Sequence, residues 1–244
     1  MHSTQSWNMF HLSWKKIILP VFGLLLAMNA DAQIKGTYNY LDFANKPYYF
    51  GITLGYNSSD FRVTPSENFI LNDSVSTVLS PRGPGFNLSI VGNLKVGKYF
   101  DFRFLPGLSF SDRKLDYNFT RQGIVQREQI EAVFIEAPFL VRYKSAPYND
   151  IRAFVVAGVK YSFDVASNSR TRQKDFLLKV APSDFSVEFG AGVQIFFPYF
   201  IFSPELKVSH GLSNILIHDD NLIYSSVLDK LFSRTFTLSF HFEG

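Results

Sequence analysis

The sequence has no cysteine, which excludes disulfides, thiolate metal sites and a cysteine nucleophile. It also lacks an excess of one charge, since 24 Lys and Arg stand against 21 Asp and Glu, and this near balance gives no case for nucleic-acid binding. Beyond residue 28, no apolar run approaches the roughly 18 residues that a membrane-spanning helix needs. If the protein is in a membrane, helices do not hold it there.

The N-terminal region has the three-part layout of a secretory signal. Lys15 and Lys16 precede an apolar run at residues 17–28, and Ala32 ends a small-residue cleavage motif. We therefore predict a cleaved signal peptide at residues 1–32. Its removal leaves 22 basic and 20 acidic residues, so the near balance persists.

The remaining chain divides into two predicted parts. Residues 33–47 form a periplasmic N-terminal segment, which is either a partner-binding tail or a disordered lead-in. The length of the mature chain allows one all-β domain of ordinary size or two small ones, and we predict one domain, a barrel at residues 48–244.

The sequence is rich in aromatic residues, with 27 Phe and 12 Tyr. It also contains many segments in which apolar and polar residues alternate. In FSVEFGAGVQIFF, residues 185–197, one face carries Phe185, Val187 and Phe189 while the other carries Ser186 and Glu188. This period of two predicts a strand with unlike faces. Eight such strands are predicted, at residues 49–61, 85–96, 100–119, 127–144, 151–165, 185–197, 200–210 and 232–242.

The connections between these strands favour a membrane barrel. They are short after the second, fourth and sixth strands, and longer and polar after the others, as in barrels with periplasmic turns and outer loops. We predict an all-β fold: an eight-stranded antiparallel up-and-down transmembrane β-barrel of the outer-membrane type, with both termini periplasmic. The alternative is a secreted β-sandwich whose charges face water, but the long strands and their aromatic ends favour the barrel.

In a barrel of this size, the polar face of each strand lines a lumen with just enough room for side chains. Opposite charges there are expected to pair and to fill the lumen, so that it is no open channel. Glycines on the same face are expected to make space for long Arg and Lys side chains. The predicted lumen charges are Arg103, Glu136, Arg142, Lys144, Arg152, Lys160, Glu188, Glu205 and Lys207.

Candidate catalytic groups are few. After signal removal the histidines are His210, His218 and His241, which are too scattered for a metal site. Ser239 and His241 share a face, but a Ser-His pair also needs an orienting acid, and nothing local supplies one. We predict no catalytic residue, no cofactor, no metal and no small-molecule substrate. The loop at residues 166–183 is basic, which suits binding of anionic lipid head groups or of an acidic partner. The alternative is a solvated loop without a ligand.

Three segments carry a family resemblance: FRFLPGLSF (residues 102–110), IEAVFIEAPFLVRYK (residues 130–144) and SPELKVSHGLSN (residues 203–214). Together they resemble the PorT/SprT family of Bacteroidetes outer-membrane barrels. The resemblance implies a noncatalytic component of the type IX secretion system, needed for export of proteins with C-terminal sorting domains and, in some relatives, for gliding motility. The residues that match the family pattern are Glu136, Pro138, Glu205, Gly211 and Asn214.

Expected partners are outer-membrane lipid and other type IX secretion components. Two other functions remain open: a general structural or adhesive barrel, and a lipid-modifying barrel enzyme. One departure from common barrels is the chain end, where Phe242 is followed by Glu243 and Gly244 instead of closing on an aromatic residue.

Overall fold

The computed structural model describes residues 39–66, 75–119, 125–165, 179–217 and 228–244. The described part contains one short helix, α1 (Asn39–Ala44), and twelve strands. The strands are β1 (Tyr48–Pro65), β2 (Val75–Leu79), β3 (Gly83–Val96), β4 (Phe100–Phe104), β5 (Gly107–Phe119), β6 (Val125–Lys144), β7 (Ile151–Asp164), β8 (Lys179–Val180), β9 (Ser183–Phe196), β10 (Ile201–Gly211), β11 (Leu216–Ile217) and β12 (Leu228–Glu243). The predicted signal peptide lies outside the described residues. Among those residues, no helix has the length and apolar character needed to cross a bilayer.

The long strands close into a ring with eight places. β1 pairs antiparallel with β3 on one side and with β12 on the other, and the ring continues through β10, β9, β7 and β6. β4 and β5 share one place, because both pair with β3 and β6. The closing register runs from Gly51 opposite Glu243 to Pro65 opposite Leu228. The predicted eight-stranded antiparallel barrel is confirmed.

The third predicted strand is interrupted. Leu105 and Pro106 separate β4 from β5, because proline has no N–H for the ladder and restricts the residue before it. Backbone hydrogen bonds still hold the break in place: Ile90 N–H donates to the Pro106 carbonyl at 2.9 Å, and Leu105 N–H donates to the Pro138 carbonyl at 3.2 Å. The chain therefore keeps its place in the ring across the break.

Three short strands lie outside the predicted set. β2 pairs with the end of β5, and β8 pairs with β11 in a separate two-stranded sheet. All three lie toward the rim where β1 ends and β12 begins. They were missed because a strand of two to five residues is too short to show an alternating pattern.

Side chains alternate between the two faces of the wall, as predicted. On β1, Phe50 is 61% exposed and Thr53 only 2% exposed. The registers align the outward residues across neighbouring strands, so that Leu54 lies opposite Leu88 on β3 and Phe240 on β12. The outside of the barrel thus carries an apolar band around the wall, and the polar faces meet inside.

The rim where β1 begins and β12 ends has short turns, at residues 97–99, 145–150 and 197–200. Gly97 (φ 80°) and Asn149 (φ 53°) adopt the left-handed conformation that tight turns use. Short turns mark the periplasmic rim of such a barrel.

The opposite rim has longer connections, with one exception. Residues 66–82, 165–182 and 212–227 separate neighbouring ring strands, whereas only residues 120–124 separate β5 from β6. The predicted long connection after the third strand is therefore wrong. The reason is that β5 and β6 stay paired as far as Asn118 opposite Val125, so the strands themselves extend the wall.

Candidate functional site: a filled lumen

The interior of the barrel is filled in layers. Toward the outer rim lies an apolar cluster of buried side chains from β1, β5, β11, β12 and the segment before β11. Toward the periplasmic rim lies a second cluster, to which α1 contributes. The outer cluster consists of Phe61, Leu115, Tyr117, Ile215, Leu216, Leu228 and Leu231, and the periplasmic cluster of Phe43, Tyr49, Phe196 and Ile201.

Helix α1 lies against the periplasmic mouth. Asp150, in the turn between β6 and β7, accepts hydrogen bonds from the Tyr40 backbone N–H at 3.1 Å and the Asn39 side chain at 3.3 Å. Phe43 is 3% exposed and packs against Phe196. Residues 39–44 are thus ordered against the barrel, and a disordered lead-in is wrong for this part of the segment. The sequence shows no helix signal there, because six residues are too few to show a helical period.

Between the two apolar clusters, five carboxylates and five cations form one chain of ion pairs. The strands that contribute them are β4, β6, β7, β9, β10 and β12, and the charge alternates in sign along the chain. In order, the residues are Glu136, Lys160, Glu188, Lys207, Glu205, Arg103, Glu243, Arg142, Asp101 and Lys144.

The first half of this chain crosses β6, β7, β9 and β10. Lys160 Nζ lies 3.1 Å from Glu136 Oε1 and 3.2 Å from Glu188 Oε1. Lys207 Nζ lies 3.0 Å from Glu188 Oε2 and 3.8 Å from Glu205 Oε1. Each lysine therefore bridges two carboxylates.

The second half is dominated by arginine. Arg103 lies between Glu205 (3.3 Å) and Glu243 (2.5 Å), and all three side chains are fully buried. Arg142 lies 3.1 Å from Glu243 and 4.0 Å from Asp101, which also accepts a hydrogen bond from Lys144. Each of these ten charges thus has at least one partner of opposite sign, and their side chains together occupy this layer of the interior. Removing one partner of such a buried pair costs about 3–5 kcal/mol, because its neighbour is left uncompensated.

Two members of this chain, Asp101 and Glu243, are absent from the predicted lumen charges. Asp101 lies two residues before Arg103 on the same strand and therefore on the same face. This spacing could have predicted that Asp101 also faces the lumen. Glu243 has the parity of His241, but it was interpreted only as a departure at the chain end. Its burial places it among the lumen residues.

Arg152 faces inward but makes a different set of contacts from its predicted neighbours. Its Nε donates to the Ser145 carbonyl at 2.6 Å and its Nη2 to the Lys98 carbonyl at 2.6 Å. It therefore clamps two periplasmic turns together. Among the described residues no ion pair of Arg152 is found.

The lumen glycines Gly158 and Gly192 do not make room for Arg or Lys. A Cβ on Gly192 would lie 2.5 Å from Phe154 Cζ, and one on Gly158 would lie 2.9 Å from Leu140 Cδ2. The space that these glycines leave is filled by apolar side chains, which also face the lumen. The expectation was wrong because the strand pattern gives the face of a residue but not its cross-strand neighbour.

His241 is hydrogen-bonded, but not to Ser239. Its Nδ1 lies 2.6 Å from Thr53 Oγ1, and its Nε2 lies 3.5 Å from Glu205 Oε2. A hydroxyl, an imidazole and a carboxylate thus come together from β1, β12 and β10, although nothing local in the sequence supplies this set. His241 and Glu205 are fully buried in the ion-pair layer.

Of the five residues that match the family pattern, Glu136 and Glu205 belong to the ion-pair chain, and Pro138, Gly211 and Asn214 lie at points of structural contact. Asn214 Oδ1 accepts the N–H groups of Leu216 (3.2 Å) and Leu231 (3.0 Å), which ties the segment before β11 to β12. A Cβ on Gly211 would lie 2.5 Å from Ser233 Oγ. Pro138 accepts the hydrogen bond at the break between β4 and β5. All three positions thus have architectural roles.

The described residues contain no group of three or more His, Asp or Glu that is arranged to hold a metal. His218 and most of the basic loop at residues 166–183 lie outside the described residues. In the described part of the chain, the candidate site is the layer of ion pairs inside the barrel, with an apolar cluster at each end.

An antiparallel ring of eight strands with an apolar exterior and a polar interior defines the outer-membrane β-barrel class. The sequence matches the family described as outer membrane protein beta-barrel domain over residues 33–216, and the chain belongs to this family. Its location is the outer membrane.

Similar solved structures include two outer-membrane proteins. OprG from Pseudomonas aeruginosa has 10% identity and a TM-score of 0.49, covering 82% of this chain and 97% of OprG. Ail, the attachment invasion locus protein of Yersinia pestis, in complex with the heparin analogue sucrose octasulfate, has 14% identity and a TM-score of 0.37, covering 82% of this chain and 100% of Ail. No curated protein matches the sequence.

Proposed function

We propose that this protein is a non-enzymatic component of the type IX protein secretion system that acts through protein contacts. Two observations support the proposal. The three segments at residues 102–110, 130–144 and 203–214 resemble the PorT/SprT family. The filled lumen leaves the barrel surface and its two rims as the parts that can act.

The filled lumen is the observation that carries the mode of action. Buried ion pairs occupy the middle, and apolar clusters occupy both ends. A barrel of eight strands has room for side chains only, so a polypeptide cargo does not pass through it. Its role in export is therefore indirect, through contacts with other secretion components, and the same contacts would serve gliding motility.

Deletion of the gene tests this proposal. We expect proteins with C-terminal sorting domains to accumulate in the periplasm and to return to the surface or medium when the intact gene is restored. Export that is unchanged by the deletion would overturn the secretion role and favour a structural or adhesive barrel whose outer connections bind external ligands.

The contact of His241 with Thr53 and Glu205 is what favours a lipid-modifying enzyme as a second candidate. The burial of all three side chains argues against substrate access. If the protein is no enzyme, we expect the gene carrying His241→Ala to restore export in the deletion strain. The gene carrying His210→Ala is the matched control and should restore export as well. An altered lipid A mass in strains carrying His241→Ala or Ser239→Ala, but not His210→Ala, would support the enzyme instead.

A further inference from the structure

Two arginines share one carboxylate on the outside of the barrel. Asp60 of β1 has the outward parity of Leu54 and Tyr56, and it lies directly opposite Arg234 of β12. Arg234 donates to it at 2.8 and 2.5 Å, and Arg82, which precedes β3, lies 3.4 Å away. The side chain of Asp60 is 5% exposed, whereas those of Arg82 and Arg234 are 51% and 39% exposed. The group therefore presents two oriented guanidinium groups with one net positive charge.

This group lies at the end of the apolar band that is farther from the periplasmic rim. Along β1 the outward residues run from Phe50 through Leu54 and Tyr56 before Asp60 is reached, starting from the rim with short turns. Phe236 lies directly beneath the group, with its ring centroid 4.4 Å from Arg82 Cζ and 6.0 Å from Arg234 Cζ. Cations thus lie where the lipid-facing surface meets the outer head-group region.

An apolar groove of about 580 Å³ begins at the same phenylalanine. It crosses β9, β10, β12 and β1 on the outer face of the barrel. It forms because Ala191 is a small outward residue between larger ones, with Phe189 beside it on β9 and Leu206 opposite it on β10. The other outward side chains of the groove are Tyr56, Ser58, Val208, Phe236 and Leu238.

We propose that these two features form one binding site for a phosphorylated glycolipid of the outer leaflet. Arg82 and Arg234 bind the head-group phosphate, because guanidinium groups match phosphate geometry with paired N–H donors. One acyl chain of the same lipid lies in the groove over Ala191. Charge complementarity selects an anionic lipid, and the direct continuity from guanidinium to Phe236 to groove selects one molecule that spans both. The site does not depend on the secretion role.

Lipid binding to the full-length protein, purified in detergent, tests the site. The probes are bisphosphorylated lipid A and the same lipid with its phosphates removed, compared by titration in native mass spectrometry. We expect clear preference for the phosphorylated form. Each arginine is expected to contribute roughly fivefold to affinity, so Arg82→Gln should lose about fivefold and the double variant Arg82→Gln/Arg234→Gln about 25-fold.

A charge-matched control is Lys46→Gln/Lys98→Gln, which removes two exposed cations near the periplasmic rim. We expect it to bind as the wild type does. Heat-modifiable migration on gels checks that each variant is folded, and Arg82→Gln keeps the test open if the double variant does not fold, since Arg82 lies outside the ring strands.

The groove has its own variant. Ala191→Leu fills it without touching either arginine, so we expect weaker binding of intact lipid A but unchanged binding of its deacylated phosphorylated sugar. The proposal is overturned if the wild type binds the dephosphorylated lipid equally well, or if Arg82→Gln binds as the wild type does. It is also overturned if the periplasmic control loses as much affinity as the arginine variants.

Discussion

Gly192 of β9 and Phe154 of β7 lie directly opposite each other in the barrel wall, and the phenylalanine ring occupies the space where a residue-192 side chain would be. An added Cβ would lie 2.5 Å from Phe154 Cζ and 2.4 Å from the Pro204 carbonyl oxygen. At this position the lumen therefore has no room for a single methyl group.

We expect Gly192→Ala to lower the free energy of unfolding by about 1–3 kcal/mol, because overpacking moves the ring and the adjacent backbone. Urea unfolding in detergent micelles measures the effect. Gly92→Ala is the matched control, since a Cβ there would have only the Phe104 carbonyl oxygen at 3.7 Å. We expect that control to stay within about 0.5 kcal/mol of the wild type. Equal effects of the two changes would contradict the close approach at Gly192.

Replacement of Glu243 tests the ion-pair chain. Glu243→Gln removes the carboxylate that Arg103 and Arg142 share, so we expect a loss of about 3–5 kcal/mol in unfolding free energy. The comparison is Asp229→Asn, whose pair with Lys230 is about half exposed on both sides and should contribute no more than about 1 kcal/mol. A Glu243→Gln protein as stable as the wild type would show that the buried arginines do not need this partner.

Phe43 is expected to keep α1 closed over the periplasmic mouth. Because the chain has no cysteine, a single Ile201→Cys substitution provides a thiol reporter beneath the helix. Adding Phe43→Ala should speed maleimide labelling of this thiol, whereas Leu41→Ala, at an exposed position of the same helix, should leave the rate unchanged. Identical rates in the two variants would contradict a sealing role for Phe43.

Because the lumen is filled, we expect the barrel not to conduct ions. Purified protein in planar bilayers should give no steady conductance steps, because ion pairs and two apolar clusters occupy the interior. A general porin reconstituted in the same bilayers is the positive control. Stable single-channel steps from this protein would show that the interior opens.

Strand parity was enough to predict the barrel and the inward direction of many charges. It places Arg103 and Glu188 inside because side chains alternate with a period of two along a strand. Parity does not predict partners, however. Arg103 and Glu205 meet across 102 residues of sequence, and their meeting depends on the stagger of strands around the ring, which no local pattern encodes.

The same limit explains two further differences. Arg152 has lumen parity, yet it lies so near the turns that carbonyl groups become its acceptors. Asp60 has lipid-facing parity and would be costly there alone, but Arg234 on the neighbouring strand supplies its counter-charge. Both outcomes depend on which groups of neighbouring strands and turns lie next to each other, and this is set by the strand register.

The position of Glu243 on the final strand of the ring links its charge to the order of assembly. Arg103 and Arg142 enter the wall on β4 and β6, whereas the carboxylate that both use arrives only with β12. Until β12 takes its place between β10 and β1, these two guanidinium groups lack this one of their partners. The strand that completes the ring thus also completes the chain of ion pairs, so an unfinished barrel lacks both a wall contact and a buried counter-charge.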